Sequence, residues 1–175
     1  MFYLLLFYSV WLLPNREDSK YLSNFIDELS KTYGGPKFPP HLTAFGDIQA
    51  KPEIIEKIVK ESIMGINQFK VKKKALEFSD YVFKAAYLSL ENNFHLQTIN
   101  KKLDHGLSDN GKYKFEPHIS LLYKIIDDSK REKIKNEIRI KNELTIDRIS
   151  VVQITEKVED WKTILGPINM GTISD

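Results

Sequence analysis

One four-residue pattern occurs twice in this chain and limits the folds that the chain can adopt. Residues 40–43 have the sequence Pro-His-Leu-Thr, and residues 117–120 have the sequence Pro-His-Ile-Ser, 77 positions later. An apolar run follows each copy and ends at Ile48 in the first case and at Ile125 in the second. The repeat predicts two similar halves, each with its histidine in an equivalent place.

The spacing within each copy pairs a histidine with a hydroxyl group. Residues i and i+2 of a β-strand point to the same face of the sheet. His41 is therefore expected to share a face with Thr43, and His118 with Ser120. If the two halves face each other, the two histidine–hydroxyl pairs meet across a cleft.

Two imidazoles across a cleft suit the hydrolysis of a phosphodiester. Histidine titrates near pH ~6.5, so that a neutral imidazole can act as the base while a protonated one acts as the acid. Thr43 and Ser120 can donate hydrogen bonds to the non-bridging phosphate oxygens. This chemistry requires no metal, and two histidines without a third ligand form a poor zinc site. The sequence therefore predicts His41 and His118 as catalytic residues and no cofactor.

Composition restricts the class of protein further. The chain has 175 residues, of which 42% are hydrophobic, and this length predicts a single domain over residues 1–175. The net charge is +2, which gives no general argument for wrapping a nucleic-acid duplex or coating a membrane. The chain contains no cysteine, which excludes disulfides and thiolate ligands and fits a reducing, cytoplasmic compartment.

Helical and strand-like segments alternate, and hairpins lie within the series. Apolar periodicity and capping residues predict helices at 17–33, after Pro52, after Asn92 or Asn93, and near 129–140. Strands are predicted at 7–13, 41–48, 71–78, 81–90, 115–125, 144–155 and 161–168. Hairpins within such a series favour an α+β fold with antiparallel sheets over a parallel doubly wound sheet.

The apolar run at residues 1–13 has two interpretations. It is shorter than the roughly 18–20 residues that a membrane-spanning helix needs. The first basic residue, Arg16, follows the run instead of preceding it, unlike the start of a secretory signal. We therefore expect residues 7–13 to form a buried strand and the protein not to bind membranes, with a signal or anchor as the alternative.

Three further groups of residues have both a structural and a functional interpretation. Tyr81 and Phe83, placed on one face of a predicted hairpin strand, can stack on a nucleobase or pack in the core. The lysines of segment 70–74 can form the solvated face of a strand or a local RNA-binding patch. His95 and His105 lack a partnered hydroxyl and are interpreted as ordinary helix residues.

Four stretches of the sequence resemble the 2H phosphoesterase superfamily, and within it the plant-type cyclic nucleotide phosphodiesterases. They are residues 8–14, residues 35–43, residues 117–123 and the closing segment from Arg148 to Trp161, and they occur in the family order. The resemblance implies a bilobal α+β fold, with two antiparallel sheets around a central cleft, helices outside and one motif in each lobe. It also implies that Thr43, Ser120 and Tyr123 contact phosphate. Plant members can form disulfides, which this cysteine-free chain cannot.

The resemblance implies hydrolysis of 2′,3′-cyclic nucleotides to 2′-phosphates, and of ADP-ribose 1″,2″-cyclic phosphate, a by-product of tRNA splicing. It also suggests His118 as the base and His41 as the acid, an order that the symmetric repeat cannot test. Two alternatives remain open: a related enzyme acting on RNA ends, and a non-catalytic nucleotide-binding module. We expect a monomer whose partner is a small cyclic phosphate.

Overall fold

The computed structural model describes residues 6–171, and this part of the chain contains four α-helices and seven β-strands. In chain order they are β1 (Phe7–Pro14), α1 (Arg16–Tyr33), β2 (Leu42–Ile48), α2 (Pro52–Ile63), β3 (Phe69–Phe78), β4 (Ala86–Leu90), α3 (Phe94–Leu107), β5 (His118–Leu122), α4 (Asp128–Glu137), β6 (Glu143–Ile154) and β7 (Lys162–Asn169). Two short 3-10 turns, Val82–Lys84 and Val158–Asp160, interrupt the series.

The strands form two antiparallel sheets that share β3. The strand order is β2-β1-β6-β3-β4-β5, and β7 also pairs with β6. The first part of β3 pairs with β6 from Phe69 to Lys72, whereas its later part pairs with β4 from Lys73 to Phe78. Strand β3 thus passes from one sheet into the other and joins the two lobes.

The two motif strands, β2 and β5, lie at opposite ends of this strand order and nevertheless contact each other. Each is covered by a helix from the other part of the chain. Helix α3 packs against β2 and against α2, and helix α1 packs against β5 and β1. The bilobal α+β fold with antiparallel sheets, a central cleft and helices outside is therefore confirmed.

The core forms one cluster of buried side chains that includes the apolar faces of the predicted helices. In α1 the buried apolar residues are Leu22, Ile26 and Leu29, and in α3 they are Leu96, Ile99, Leu103 and Leu107. Asn93 caps α3 because its side-chain oxygen accepts a hydrogen bond from the Leu96 N–H at 3.0 Å. The helical periodicity in the sequence thus located both helices.

The strand predicted for residues 7–13 is present and buried from Tyr8 to Leu12, whereas its first residue, Phe7, is exposed. Strand β1 lies between β2 and β6, and its Val10 and Leu12 are fully buried. The first five residues of the apolar run lie outside the described residues. Among residues 6–171, no helix is long and apolar enough to cross a membrane.

Two predicted strands are shorter than expected. The segment 81–90 is not one strand, because residues 82–84 form a 3-10 turn and β4 starts only at Ala86. Side-chain hydrogen bonds to the turn's carbonyl groups hold it in place: Ser79 donates to Lys84 O at 2.7 Å and Ser120 donates to Phe83 O at 2.8 Å. The segment 115–125 contributes a strand only over His118–Leu122.

Candidate active site

The residues predicted for the site all line one cavity of about 270 Å³. They are His41, Thr43, Tyr81, Phe83, His118, Ser120 and Tyr123. His41 directly precedes β2 and His118 is the first residue of β5, so each histidine stands at the start of its motif strand. Because β2 and β5 contact each other, the two histidines at the starts of these strands line the same cavity.

His41 is deeply buried against an aromatic wall. Its Nδ1 lies 2.7 Å from the Pro39 carbonyl oxygen, and its ring stacks on Trp11 with the centroids 3.6 Å apart. The Trp11 indole N–H donates to the Ser9 hydroxyl at 2.9 Å, which fixes the indole beneath the imidazole. Burial lowers the pKa of His41 to about 4, and the Pro39 carbonyl opposes this shift. His41 is therefore neutral at pH 7 in the protein alone.

His118 repeats the backbone contact of His41 in a less enclosed place. Its Nδ1 lies 2.6 Å from the carbonyl oxygen of Glu116, again the residue two positions earlier. Burial lowers the pKa of His118, the Glu116 carbonyl raises it, and the positive charge of Lys84 lowers it. If Nδ1–H donates to the carbonyl in both histidines, Nε2 is the proton-accepting nitrogen of each.

Each motif hydroxyl is accompanied by a tyrosine. Tyr113 donates a hydrogen bond to the Thr43 carbonyl at 3.3 Å, and a side-chain hydrogen bond with Thr43 partly offsets the rise that burial causes in the pKa of Tyr113. Burial likewise raises the pKa of Tyr123 above its usual range, and a side-chain hydrogen bond with Ser120 opposes that rise. Both phenols therefore remain protonated at neutral pH and can donate hydrogen bonds.

Tyr123 reaches the cavity because β5 ends before it. The register shifts between Ala86 and Tyr87, which pair with Leu122 and Ser120, so the alternation of β5 is broken. Strand β5 ends at Leu122. The Tyr123 ring stacks on Phe38 at a centroid distance of 3.6 Å. Strict alternation would turn Tyr123, three residues after Ser120, to the other face of the sheet. Because the strand ends at Leu122, the Tyr123 side chain does not follow that alternation and reaches the cavity.

Phe83 lies within the 3-10 turn and Tyr81 directly precedes it, so neither lies on a hairpin strand, which corrects their predicted placement. Tyr81 is 61% exposed, whereas Phe83 packs against the core. Trp161 lies 6.0 Å from Phe83 and 5.6 Å from Trp11 by ring centroids. The cavity thus has an aromatic wall beside the two histidines.

Several cavity residues were missed by sequence reasoning. Trp11 and Trp161 stood in stretches that carry the family resemblance, but no pattern in the sequence assigned them to a site. Tyr113 comes from the polar loop between α3 and β5, and Lys84 from the unpredicted 3-10 turn. Neither residue belongs to the repeat, so only the tertiary structure could bring them to the cavity.

The remaining candidates lie away from this cavity. His95 stacks on Phe69 at 4.9 Å, and His105 is exposed on α3. The lysines of segment 70–74 lie along β3 around the buried Val71, and Lys70 pairs with Glu143. Within residues 6–171, no three His, Asp or Glu side chains come together as a set of metal ligands.

A protein-family model and two proteins of known name are similar to this chain. Residues 6–168 match the family model described as cyclic phosphodiesterase-like protein. The cyclic phosphodiesterase of Arabidopsis thaliana is 22% identical over 116 residues, which cover 66% of this chain and 64% of that protein. A protein of Geobacillus sp. (strain WCH70) that carries the name phosphoesterase is 27% identical over 154 residues, or 83% of this chain and 86% of its own length.

Solved structures of low sequence identity share the fold. The protein TT0787 of Thermus thermophilus has a TM-score of 0.65 at 12% identity and covers 94% of this chain and 97% of its own. E. coli LigT, in complex with 3′-AMP, has a TM-score of 0.58 at 13% identity, with 97% and 99% coverage. The fold and the two histidine–hydroxyl motifs in one cavity agree with the resemblance to the 2H phosphoesterases. The chain belongs to the cyclic phosphodiesterase-like protein family, and this membership supports phosphoester hydrolysis as its general activity.

Proposed function

We propose that this protein hydrolyses cyclic phosphates without a metal, acting on 2′,3′-cyclic nucleotides to give 2′-phosphates, on ADP-ribose 1″,2″-cyclic phosphate to give the 1″-phosphate, or on both. The observation that carries the proposal is the pair of imidazoles in one cavity. Each has its Nδ1 on the carbonyl two residues earlier, at 2.7 Å for His41 and 2.6 Å for His118. The same nitrogen, Nε2, is thereby left to exchange a proton with substrate on both sides.

The reaction needs one base and one acid. The base takes a proton from water as the water oxygen bonds to phosphorus, and the bond from phosphorus to the ribose 3′ oxygen breaks. The acid gives its proton to that oxygen, which leaves a 2′-phosphate and a free 3′ hydroxyl. Protons and charge balance without a cofactor. The Thr43 hydroxyl donates to a non-bridging oxygen, on which negative charge grows during attack. The Ser120 hydroxyl does the same once it turns from the Phe83 carbonyl to the substrate.

We assign His118 as the base and His41 as the acid, following the family resemblance. Lys84 favours neutral His118, which suits a base. The pKa of about 4 opposes an acid role for His41 in the protein alone. Two effects favour its protonation when substrate binds: the phosphodiester anion raises the pKa of any nearby imidazole, and the Trp11 ring at 3.6 Å offers its π face to an imidazolium.

The aromatic wall supports a nucleotide as the substrate. Trp161, Phe83 and the exposed Tyr81 present ring faces and edges next to the imidazoles. Stacking on a nucleobase is worth roughly 1–3 kcal/mol per base and tolerates any base. The complex of E. coli LigT with 3′-AMP gives a precedent for a nucleoside monophosphate on this fold.

The test is turnover of 2′,3′-cyclic AMP with EDTA in excess, followed by chromatography of the products. We expect 2′-AMP as the product and a rate that EDTA does not change. The variant His41→Ala/His118→Ala controls for a contaminating enzyme and should give no product. Turnover that EDTA abolishes would contradict the metal-free mechanism. Nucleotide binding without turnover would favour a binding module, and hydrolysis confined to an RNA oligonucleotide end would favour the RNA-processing alternative.

A further inference from the structure

The charges around the cavity are distributed unequally between its two sides. Apart from the histidines, the charged residues that line it in the described part of the chain are Lys84 and Asp47. The Lys84 side chain is only 19% exposed. The position 77 residues before Lys84 is Phe7, so the repeat supplies no matching cation on the His41 side.

Lys84 is held in a defined position by several contacts. Its Nζ lies 3.1 Å from Glu116 Oε2 and 4.5 Å from the centroid of the Tyr87 ring. Its backbone N–H donates to Tyr81 O at 2.9 Å, and its carbonyl accepts the Ser79 hydroxyl at 2.7 Å. The ammonium group is thus fixed beside the second motif strand rather than free in solvent.

Glu116 connects this lysine to His118. Its backbone carbonyl orients the imidazole at 2.6 Å, while its carboxylate binds Lys84. The charge of Lys84 also lowers the pKa of His118, whereas the Glu116 carboxylate acts in the opposite direction and raises it. The lysine, the carboxylate and the imidazole therefore form one connected group at the start of β5.

We propose that Lys84 is a substrate-binding residue that contacts the anionic phosphoryl oxygen on the His118 side of the cavity, with Glu116 as its positioning partner. The inference rests on the proposed function, since it names a further residue for the same reaction. A cyclic phosphodiester carries one negative charge, and attack by water adds a second to the phosphoryl group. A fixed ammonium at that side stabilises both states, and more strongly the more charged one.

The chain offers a matched control for this proposal. Lys114 binds the other oxygen of the same carboxylate, Glu116 Oε1, at 2.6 Å, yet its side chain is 88% exposed and it does not line the cavity. An exposed ion pair of this kind contributes little to stability, because water screens it. Lys84→Met and Lys114→Met each remove one cation from Glu116, but only the first removes a cation from the cavity.

We expect Lys84→Met to reduce kcat/KM for 2′,3′-cyclic AMP by about 10- to 100-fold, the range for a charge-assisted contact to the reacting phosphate. Lys84→Arg should restore part of the loss, because it keeps the charge. Lys114→Met should stay within about twofold of wild type, as expected for a solvated pair. Equal kinetics for Lys84→Met and Lys114→Met would overturn the proposal.

Two measurements on the protein without substrate separate this inference from the proposed function. NMR titration should show a higher pKa of His118 in Lys84→Met and an unchanged one in Lys114→Met, a difference that a general loss of packing would not produce. Inorganic phosphate, followed by the same imidazole signals, should bind more weakly to Lys84→Met only. If wild type hydrolyses no cyclic phosphate but phosphate affinity still depends on Lys84, the proposed function fails, whereas Lys84 remains supported as a phosphate-binding residue. Phosphate affinity equal in the two variants overturns the inference.

Discussion

The two motif strands are alike in how they orient the imidazole and differ in what surrounds it. On both sides Nδ1 lies against the carbonyl two residues earlier, and a tyrosine accompanies the motif hydroxyl. His41, however, is only 7% exposed and stacks on Trp11, whereas His118 is less buried and lies near Lys84 and Glu116. The repeated residues determine the orientation of the two imidazoles, and the unrepeated residues around them determine their proton affinities.

We expect the largest effect when one imidazole at a time is removed, which makes the two motif strands unlike. His41→Ala and His118→Ala should each reduce kcat/KM for 2′,3′-cyclic AMP by about 10²–10⁴-fold. The double variant should lose less than the product of the two losses, because the base and the acid act as a unit. Steady-state kinetics on all three variants provide the test. Mild losses in both single variants would contradict a two-histidine mechanism.

The different roles of the two histidines can be tested with a substrate whose leaving group needs little protonation. A nitrophenyl phosphodiester has a good leaving group, so protonation of that group contributes little to its cleavage. With His118 as the base, His41→Ala should keep its activity on this substrate within about tenfold, while His118→Ala should lose about 10²-fold or more. The matched measurement is the ratio of nitrophenyl to cyclic-nucleotide turnover for each variant. The opposite ratio would exchange the two roles.

The hydroxyls should show a smaller effect. Thr43→Ala and Ser120→Ala should each cost about 10- to 1000-fold in kcat, by analogy with the loss of one oxyanion donor. The Ser120 hydroxyl already donates to Phe83 O at 2.8 Å, so we expect its loss to be the smaller of the two. Thr43→Ser and Ser120→Thr keep the donor and serve as controls. Unchanged kinetics in both alanine variants would mean that the two hydroxyls only form hydrogen bonds with the backbone and do not contact the phosphate.

The repeat made the cavity partly predictable from the sequence. His41 and Thr43 are two residues apart, and so are His118 and Ser120. Side chains two residues apart on a strand point to the same face, so the motif itself predicts that each histidine shares a face with its hydroxyl. The residues that set the electrostatics could not be found in this way. Lys84 reaches the cavity because a 3-10 turn replaces the expected strand, and that turn is held by the long-range hydrogen bond from Ser120 to the Phe83 carbonyl.

The aromatic residues illustrate the same limit of sequence reasoning. The sequence pattern places Tyr81 and Phe83 on one face of a strand, which requires extended backbone at residues 82–84, where the structure has a 3-10 turn. Trp161 lies more than a hundred residues after Trp11 and His41 in the sequence. It approaches them because it directly precedes β7, which pairs with β6. Contacts of such sequence separation leave no periodic signal, whereas the apolar spacing of α1 and α3 is local and did predict them.

The last prediction concerns folding, and it tests the difference in burial between the two histidines. The pKa of His41 falls from an ordinary value of 6.5 to about 4 in the folded protein. Unfolding therefore takes up a proton between these values, so that this contribution to stability is complete above about pH 6.5 and is lost as the pH falls towards 4. The difference between the two pKa values corresponds to about 3 kcal/mol.

Urea unfolding of wild type and His41→Gln at pH 7, 5.5 and 4 measures this contribution directly. The difference in unfolding free energy between the two proteins should change by about that amount over the pH range, because glutamine takes up no proton. The less buried His118 should give a smaller change of the same sign in His118→Gln. Parallel pH profiles for wild type and His41→Gln would mean that His41 is protonated as readily in the folded protein as in the unfolded chain. The burial that distinguishes the two sides of the cavity would then have no electrostatic consequence.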